Sequence, residues 1–371
     1  MLGKKHQPNV SQRVSLDPTL SNRNCVVMFP TNGVGFGHFT RMLALAKHMK
    51  KEDSELEIIF FTTMPTLHLL KPYGIPAHHI SGSPFFDGMS TIEWNGMLEE
   101  ELSICFEAHR PKQFIFDGAF PYRGMLRAIK SKPNMDCVWM RRGTFRRGKS
   151  IPVDSISHFD LIIHPEDSIH MKSNEVEHEV KTTTCQPITL IEPEEQMSRS
   201  QARRRLDLPM DATVVYVQIG AGEINDIKSE IRLTIDALIE HENIHVVLGE
   251  SMIGERLQMD IPRVHILRDY PNTLYFNAFD CSIQAGGYNS FHEVRRFGMP
   301  TLFYPNLLTG MDDQLARCMV STEEGWGQVL EQRNKSSISE AIDLLIKRAG
   351  KAEPLNVESG AIQLAKELVK R

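Results

Sequence analysis

Short apolar runs alternate with helical segments along most of the chain, and this alternation constrains the fold more than any other feature. The first half contains the runs CVVMFP, LEIIFFTT, QFIFDG, DCVWMR and DLIIH. The second half contains TVVYVQIG, IHVVLG, VHILRD, CSIQAG and TLFYPN. Strands that alternate with helices predict parallel sheets covered on both faces. We therefore expect an α/β protein with two doubly wound, Rossmann-like domains.

A length of 371 residues is sufficient for two such domains. The segment PITLIEPEE, residues 187–195, has two prolines and three acidic residues and predicts a linker. We expect a flexible tail over residues 1–22, a first domain over 23–190 and a second domain over 196–350. Residues 351–371 predict a C-terminal helix that the sequence assigns to neither domain.

Composition excludes several classes of protein. Lys and Arg number 42 against 47 Asp and Glu, so the net charge of −5 offers no excess positive charge for a nucleic acid. The six cysteines form no CxxC pair, which argues against a structural zinc site or a disulfide framework and fits a reducing cytosol. No signal peptide or membrane-spanning run is predicted. We expect a cytoplasmic protein.

A glycine cluster formed by Gly33, Gly35 and Gly37 lies between the first strand and the first helix. Glycine lets backbone approach a ligand, and a helix N-terminus offers unpaired N–H groups. A dinucleotide site is not favoured, because the spacing is GxGxG followed by His38 and the second strand ends in threonines without an acidic residue. A tight turn without a ligand remains the alternative.

Three further patterns have simpler explanations. HENIH, residues 241–245, matches the zinc string HExxH, but HVVLG begins at its second histidine and predicts a strand there, so we interpret the match as chance. RRGTFRRGK places Arg141 and Arg142 after an apolar strand, where they form either a solvated loop or a site for a phosphate-bearing acceptor or an anionic membrane. The basic run 203–205 lies in a predicted helix and indicates an exposed face.

The segment from Cys281 to Cys318 contains the most informative motif. A predicted strand ends at Gln284, Gly286 and Gly287 form a turn, and Asn289 and Ser290 are expected to cap a helix with Glu293 in its first turn. The N–H groups and dipole of such a helix would bind a diphosphate, and the carboxylate of Glu293 could hold ribose hydroxyls.

This segment resembles the donor-binding motif of GT-B glycosyltransferases of the MurG-like and UDP-glycosyltransferase superfamily, roughly GGxxSxxEaxxxGvPxxxxPxxxDQxxNA. The matching residues fall in order: Gly286, Gly287, Asn289, Ser290, Glu293, Gly298, Pro300, Pro305, Asp313 and Gln314. The glycine-rich segment ending at His38 resembles the family's first loop. The chain departs from the family at Leu315-Ala316, and IGAG at residues 219–222 follows the phosphate loop only loosely.

The resemblance implies roles for individual residues. Glu293 would bind the ribose, and Arg268 would approach the nucleobase. The diphosphate would meet the backbone and side chains of Gly220, Gly286, Gly287, Asn289 and Ser290. Asp313 and Gln314 would bind sugar hydroxyls. The acceptor side would include Gly35, Gly37, Arg141 and Arg142. His38 would be the general base, with a structural histidine that caps the helix as the alternative.

The function implied is transfer of a hexosyl or N-acetylhexosaminyl group from a nucleotide sugar, which we expect to be UDP-linked, to an acceptor hydroxyl with inversion. The acceptor would bind mainly to residues 23–190 and the donor to residues 196–350. Carbohydrate, lipid-linked and small-molecule acceptors all fit, as does peripheral membrane contact during glycan or glycolipid synthesis. No Asp-x-Asp occurs, so we expect no metal and no cofactor besides the donor. A nucleotide-sugar 2-epimerase of the same fold and a non-catalytic partner that binds nucleotide sugars are the alternatives.

Overall fold

The computed structural model describes residues 22–31, 35–142, 153–169, 180–220, 227–250, 259–309, 312–350 and 352–371. The predicted tail, apart from Asn22, lies outside this part of the chain. Two parallel sheets organise the described residues, each with helices on both faces, so the predicted α/β class with two Rossmann-like domains is confirmed.

The first sheet has seven strands in the order β3-β2-β1-β4-β5-β6-β7, and every neighbouring pair is parallel. The strands are β1 (Arg23–Pro30), β2 (Glu57–Thr62), β3 (Ala77–His79), β4 (Pro111–Asp117), β5 (Asp136–Met140), β6 (Leu161–Pro165) and β7 (Thr182–Cys185). The helices between them are α1 (Gly37–Glu52), α2 (Thr91–His109), α3 (Arg123–Lys130) and α4 (Val153–Ile156).

The second sheet has six strands in the order β10-β9-β8-β11-β12-β13, again parallel throughout. The strands are β8 (Thr213–Gln218), β9 (Ile244–Gly249), β10 (Val264–Leu267), β11 (Cys281–Gln284), β12 (Thr301–Phe303) and β13 (Gly327–Val329). The helices are α5 (Arg199–Arg205), α6 (Ile227–Ile239), α7 (Tyr288–Arg296), α8 (Gln314–Glu323), α9 (Lys335–Lys347) and α10 (Gly360–Leu368).

Strand β1 shows why the apolar runs are continuous. Val26 and Met28 pack into the core on the α1 side of the sheet, whereas Val27 and Phe29 pack on the α2 side, and all four are fully buried. A strand covered on both faces buries the side chains of both sets of alternating positions, so most of them are apolar. Since His245 lies in β9 and α6 ends before it, the HENIH string does not form a helix, as predicted.

The C-terminal helix belongs to the first domain. Residues of α10 complete the core beside α1, and Arg371 forms an ion pair with Asp136 at 2.5 Å. A Cβ atom at Gly360 would lie 1.9 Å from the carbonyl oxygen of Gln186, so only glycine permits this close approach. The chain therefore crosses from the second domain back to the first.

The segment 187–195 joins the two sheets but is not an exposed linker. Ile188 is buried, and the buried carboxylate of Glu192 accepts hydrogen bonds from Arg296 on α7. Burial alone would raise the pKa of Glu192, but His48 and Arg296 lower it to about 2. The linker is thus anchored to both domains by a buried charge.

The basic run at 203–205 is not simply an exposed face, because Arg203 is fully buried. Its guanidinium donates to Asp280 at 2.8 Å and to the carbonyl oxygens of Pro209, Met210 and Ala212. Buried cations are retained where such partners satisfy them. Among the helices that the structure describes, none is both long and apolar enough to cross a bilayer.

Candidate active site

The strand order reverses at one place in each sheet, between β1 and β4 in the first and between β8 and β11 in the second. Ligands of open α/β sheets bind beyond the carboxyl ends of the strands at such a reversal. The two reversals face each other, because Arg41 Nη1 on α1 donates to Asn289 Oδ1 on α7 at 3.2 Å. Thr40 and Tyr270 also meet across the gap, with hydroxyl oxygens 2.8 Å apart. The candidate site is this interdomain cleft.

The first reversal carries a buried triad of His38, Arg41 and Asp117. Asp117 ends β4 and is fully buried, and His38 lies in the first turn of α1. His38 Nδ1 is 2.7 Å from Asp117 Oδ1, and Arg41 binds both carboxylate oxygens at 3.0 and 2.8 Å. His38 does not cap α1, since no side chain caps this helix at Phe36, so the predicted capping contact is not formed. The role of His38 as general base stays a prediction.

Electrostatics set the protonation of this triad. Burial alone would raise the pKa of Asp117, but Arg41 and His38 lower it below the usual value. Burial also lowers the pKa of His38, which therefore stays neutral at neutral pH. His38 Nδ1 also lies 2.9 Å from Arg41 Nη2, which can only donate. Only the tautomer whose Nδ1 hydrogen points to Asp117 leaves the Nε2 lone pair to accept a proton from the cleft. The side chain is 22% exposed, so a ligand has access to it.

The second reversal carries the start of α7, whose N-cap lies two to three residues earlier than the sequence suggests. Gly287 occupies the N-cap position, Asn289 and Ser290 lie in the first turn, and Glu293 lies in the second turn. The predicted capping role of Asn289 and Ser290 is therefore wrong. A Cβ atom at Gly286 would lie 2.3 Å from Cys318 Sγ, which explains the glycine there. The backbone N–H groups at this terminus suit a phosphate.

Glu293 is partly exposed in the cleft, and no hydrogen bond or ion pair joins its carboxylate to any residue that the structure describes. Burial raises the pKa of this carboxyl to about 8. A carboxyl group held without a partner in a cleft is typical of a binding or catalytic position.

The side chain of Asn289 is occupied by the first domain. Its amide nitrogen donates to the carbonyl oxygen of Gly37 at 3.3 Å, and its oxygen accepts from Arg41. The side-chain hydroxyl of Ser290 forms no hydrogen bond with another described residue. The expected contact of Ser290 with a diphosphate stays a prediction, whereas Asn289 would reach a ligand only by releasing Arg41.

Three arginines surround the ring of Tyr288. The guanidinium carbons of Arg142, Arg41 and Arg317 lie 4.8, 5.6 and 5.6 Å from the ring centre. Arg317 also donates to Asp167 of the first domain at 2.6 Å. Cation–π contacts and a buried ion pair together hold the domains against each other.

The basic segment after β5 is only partly described, since residues 143–150 lie outside the described part. Arg141 is 3% exposed and lies over the ring of Trp139 at 5.7 Å. Arg142 approaches Asp312 of the second domain at 3.6 Å. Neither is a solvated loop residue, so that alternative is wrong for both. Arg142 faces the cleft, and its role toward an acceptor stays a prediction.

The remaining donor-side residues follow strands β8, β10 and β12 of the second sheet. Gly220 follows β8 with a φ of 111°, a conformation that favours glycine, and is exposed. Arg268 follows β10 and donates to Glu250 at 2.9 Å. Asp313 caps α8 through Ala316 N, and Gln314 accepts from the backbone of Asn306 at 2.9 Å. Asp313 and Gln314 therefore shape the loop before α8, and sugar contacts by them stay predictions.

The first glycine-rich loop is described from Gly35 onward, and Gly33 lies outside the described residues. Gly37 begins α1, where a Cβ atom would lie 3.6 Å from Arg41 Nη1 and 3.8 Å from Asn289 Oδ1. Gly35 has open space around its Cβ position. Both distances are ordinary van der Waals contacts, so the contact between the domains does not require glycine at position 37.

Sequence reasoning missed the partners of the predicted residues. Asp117 ends the predicted strand QFIFDG, and a carboxylate at the carboxyl end of a strand was a usable signal. Arg41, Asp167 and Arg317 gave no such signal, because their partners lie 76 to 150 residues away.

No protein-family model matches the sequence, and a search of curated proteins finds no match. Solved structures match over nearly the whole chain. Acinetobacter baumannii MurG is 14% identical with a TM-score of 0.58, covering 94% of this chain and 99% of that chain. The glycotransferase of kitacinnamycin is 12% identical with a TM-score of 0.64, covering 93% and 98%. UDP-GlcNAc 2-epimerase from Methanocaldococcus jannaschii is 12% identical with a TM-score of 0.59, covering 94% and 100%.

This chain has the GT-B fold. The fold class and the structural resemblance predicted from the sequence are confirmed. At these identities the likeness concerns the fold of a GT-B protein, and statements about activity depend on the residues in the cleft.

Proposed function

We propose that this GT-B protein transfers a hexosyl or N-acetylhexosaminyl group from a nucleoside diphosphate sugar, UDP-linked, to an acceptor hydroxyl. The observation that carries the proposal is the unpartnered carboxyl of Glu293 at one strand-order reversal, opposite the His38–Asp117 pair at the other. One face of the cleft thus offers a carboxylate to a donor, and the other face offers an imidazole that would act as the base.

The donor would lie on the second domain. Holding Glu293 without partners costs free energy, which ribose hydroxyls would recover by donating two hydrogen bonds to the ionised carboxylate. The diphosphate would meet the N–H groups at the start of α7 and the hydroxyl of Ser290. A structure similar in fold, SpnG, was solved in complex with thymidine diphosphate, with 15% identity and a TM-score of 0.56.

The chemical step follows from the neutral imidazole. The acceptor oxygen attacks the anomeric carbon while the bond from that carbon to the diphosphate oxygen breaks, and the hydroxyl proton passes to His38 Nε2. Asp117 orients the ring and stabilises the imidazolium. This stabilisation is weakened because the carboxylate of Asp117 also binds the positively charged Arg41. Backbone N–H groups at the start of α7 would stabilise the departing diphosphate without a metal ion.

The test uses the full chain with a panel of nucleotide sugars. Donors that raise the melting temperature are incubated with candidate acceptors, and released nucleoside diphosphate is measured. Acceptor-dependent release supports transfer. Conversion of the donor to its 2-epimer without an acceptor would assign the protein to the epimerases instead. Binding without turnover against all acceptors would favour a non-catalytic partner.

A further inference from the structure

A cluster of metal-binding side chains lies in the first domain, away from the cleft. Cys105 and His109 are one turn apart on the same face of α2, and His78 lies on the edge strand β3. One ligand atom from each residue lies within 4.8 Å of the others. No second group of this kind occurs among the described residues.

The cluster lies at the outer edge of the first sheet, away from the candidate active site beside β4. His109 comes two residues before β4 begins at Pro111, and the strand ends at Asp117. His78 lies on the edge strand β3, which is three strand spacings from β4 in the order β3-β2-β1-β4. At about 4.8 Å per spacing, His78 and β4 are roughly 14 Å apart across the sheet. A ligand of the cluster would therefore be distinct from a ligand of the cleft.

The two histidines point their nitrogens at each other. His78 Nε2 lies 2.8 Å from His109 Nε2, and two nitrogens at this distance share a single proton. Burial, and after it the nearby His78, lowers the pKa of His109. A metal ion would take the place of the shared proton and bind both imidazole nitrogens and the neighbouring thiol sulfur.

We propose that His78, Cys105 and His109 bind one Zn²⁺ ion, with water as the fourth ligand. Nitrogen and sulfur ligands favour zinc over magnesium or calcium, which prefer oxygen. Zn–N bonds of about 2.0 Å and Zn–S bonds of about 2.3 Å place tetrahedral ligand atoms roughly 3.4 to 3.6 Å apart. The observed separations, from 2.8 Å to at most 4.8 Å, need only small side-chain movements to reach these values.

Binding must displace protons. Burial, with a smaller contribution from Cys25, raises the pKa of the Cys105 thiol to about 12, so zinc has to remove this proton. The charged groups near the cluster are Glu57 and Arg23, which pair with each other at 3.0 Å.

The ion would fix the edge of the sheet. Strand β3 has three residues and pairs only with β2, so its own hydrogen bonds hold it weakly. A ligand from β3 and two from α2 would tie this strand to the helix that covers it.

The test titrates the metal-free full chain with Co²⁺ and then displaces it with Zn²⁺. A thiolate ligand gives cobalt an intense charge-transfer band in the near ultraviolet, and we expect this band to saturate at one equivalent. Cys105→Ser should abolish the band, and His78→Ala and His109→Ala should weaken affinity by about 10- to 100-fold. His79→Ala, the adjacent exposed histidine, is the matched control and should bind as the wild type does.

The melting temperature supplies a second measurement. It does not use Cys105→Ser, the variant in which a hydroxyl replaces a buried thiol. Zn²⁺ should raise the melting temperature of the wild type and of His79→Ala, but not of His78→Ala. No thiolate band in the wild type, or a band that persists in Cys105→Ser, would overturn the proposal. The close pair His245 and His265, 3.1 Å apart, contains no thiol and cannot produce this band.

Discussion

Two carboxyl groups at corresponding places in the two domains have opposite surroundings. Asp117, at the reversal of the first sheet, is fully buried and bound by Arg41 and His38, which lower its pKa. Glu293, at the reversal of the second sheet, has no partner among the described residues, and burial raises its pKa to about 8. The first group has its partners within the protein, whereas the second has none among the described residues. On the proposed function, the first would position His38 and the second would bind the donor.

The largest expected effect comes from the histidine that Asp117 orients. His38→Ala should lower turnover by roughly 10²- to 10⁴-fold and leave the affinity for UDP nearly unchanged, because the donor lies on the other domain. His68→Ala, on an exposed part of the same domain, is the control. Turnover, UDP affinity and melting temperature are measured on the same preparations. A full rate at normal stability would exclude His38 as the base.

Removing the two carboxyl groups should affect stability in opposite ways. Asp117→Ala leaves the buried Arg41 guanidinium without its partner and should lower the free energy of unfolding by about 3–5 kcal/mol. Glu293→Gln removes a carboxyl whose ionisation is disfavoured in the fold, so it should be neutral or stabilising.

The pH dependence follows from the raised pKa of Glu293. Its contribution to stability is fully present below the unfolded-state value near 4.5 and is lost as the pH rises to about 8. Any gain from Glu293→Gln should therefore grow between about pH 4.5 and 8 and then level off. Urea denaturation at several pH values measures both variants. An equal loss of unfolding free energy in Asp117→Ala and Glu293→Gln would contradict the difference between the surroundings of the two carboxyl groups.

Donor affinity should depend on Glu293. Glu293→Ala should weaken nucleotide binding by about 1–3 kcal/mol, since the ribose hydroxyls lose a charged acceptor. Calorimetric titration with UDP measures the change, and Glu331→Ala, at an exposed position, is the control. Unchanged affinity in Glu293→Ala would remove this residue from the donor site.

Chelation should have the smallest effect. The rate in excess EDTA should stay within about twofold of the untreated rate, because the proposed mechanism uses helix N–H groups in place of a metal. EDTA would also remove zinc from the cluster of His78, Cys105 and His109. This loss should not change the rate, because the cluster is distant from the cleft. Loss of activity that Mg²⁺ or Mn²⁺ restores would contradict the metal-free mechanism.

The fold was largely predictable, because most strands are buried on both faces and form continuous apolar runs. The strands that escaped prediction are β3, β7 and β13, with the sequences AHH, TTTC and GQV. They are short and lie at the outer ends of the sheets, where burial is incomplete and no apolar pattern develops.

The site was predictable residue by residue but not in its contacts. The motif around Glu293 is local, so its glycines and helix could be recognised from spacing. The contact between Arg41 and Asn289 joins positions 248 residues apart, and no local pattern encodes it. Buried charges such as Arg203 and Glu192 were missed for the same reason, since only tertiary partners make their burial possible.

The most direct test of the account is the proton released when a nucleotide binds. At pH 7.5 a carboxyl with a pKa of about 8 is mostly protonated, and ribose hydroxyls should stabilise its ionised form, so UDP binding should release roughly 0.7 proton per site. Calorimetry in two buffers of different ionisation enthalpy measures this number, and Glu293→Gln corrects for the titration of UDP itself. We predict a release in the wild type that exceeds that in Glu293→Gln by about this amount. Tight binding with the same proton balance in both proteins would contradict the assignment of Glu293 to the donor.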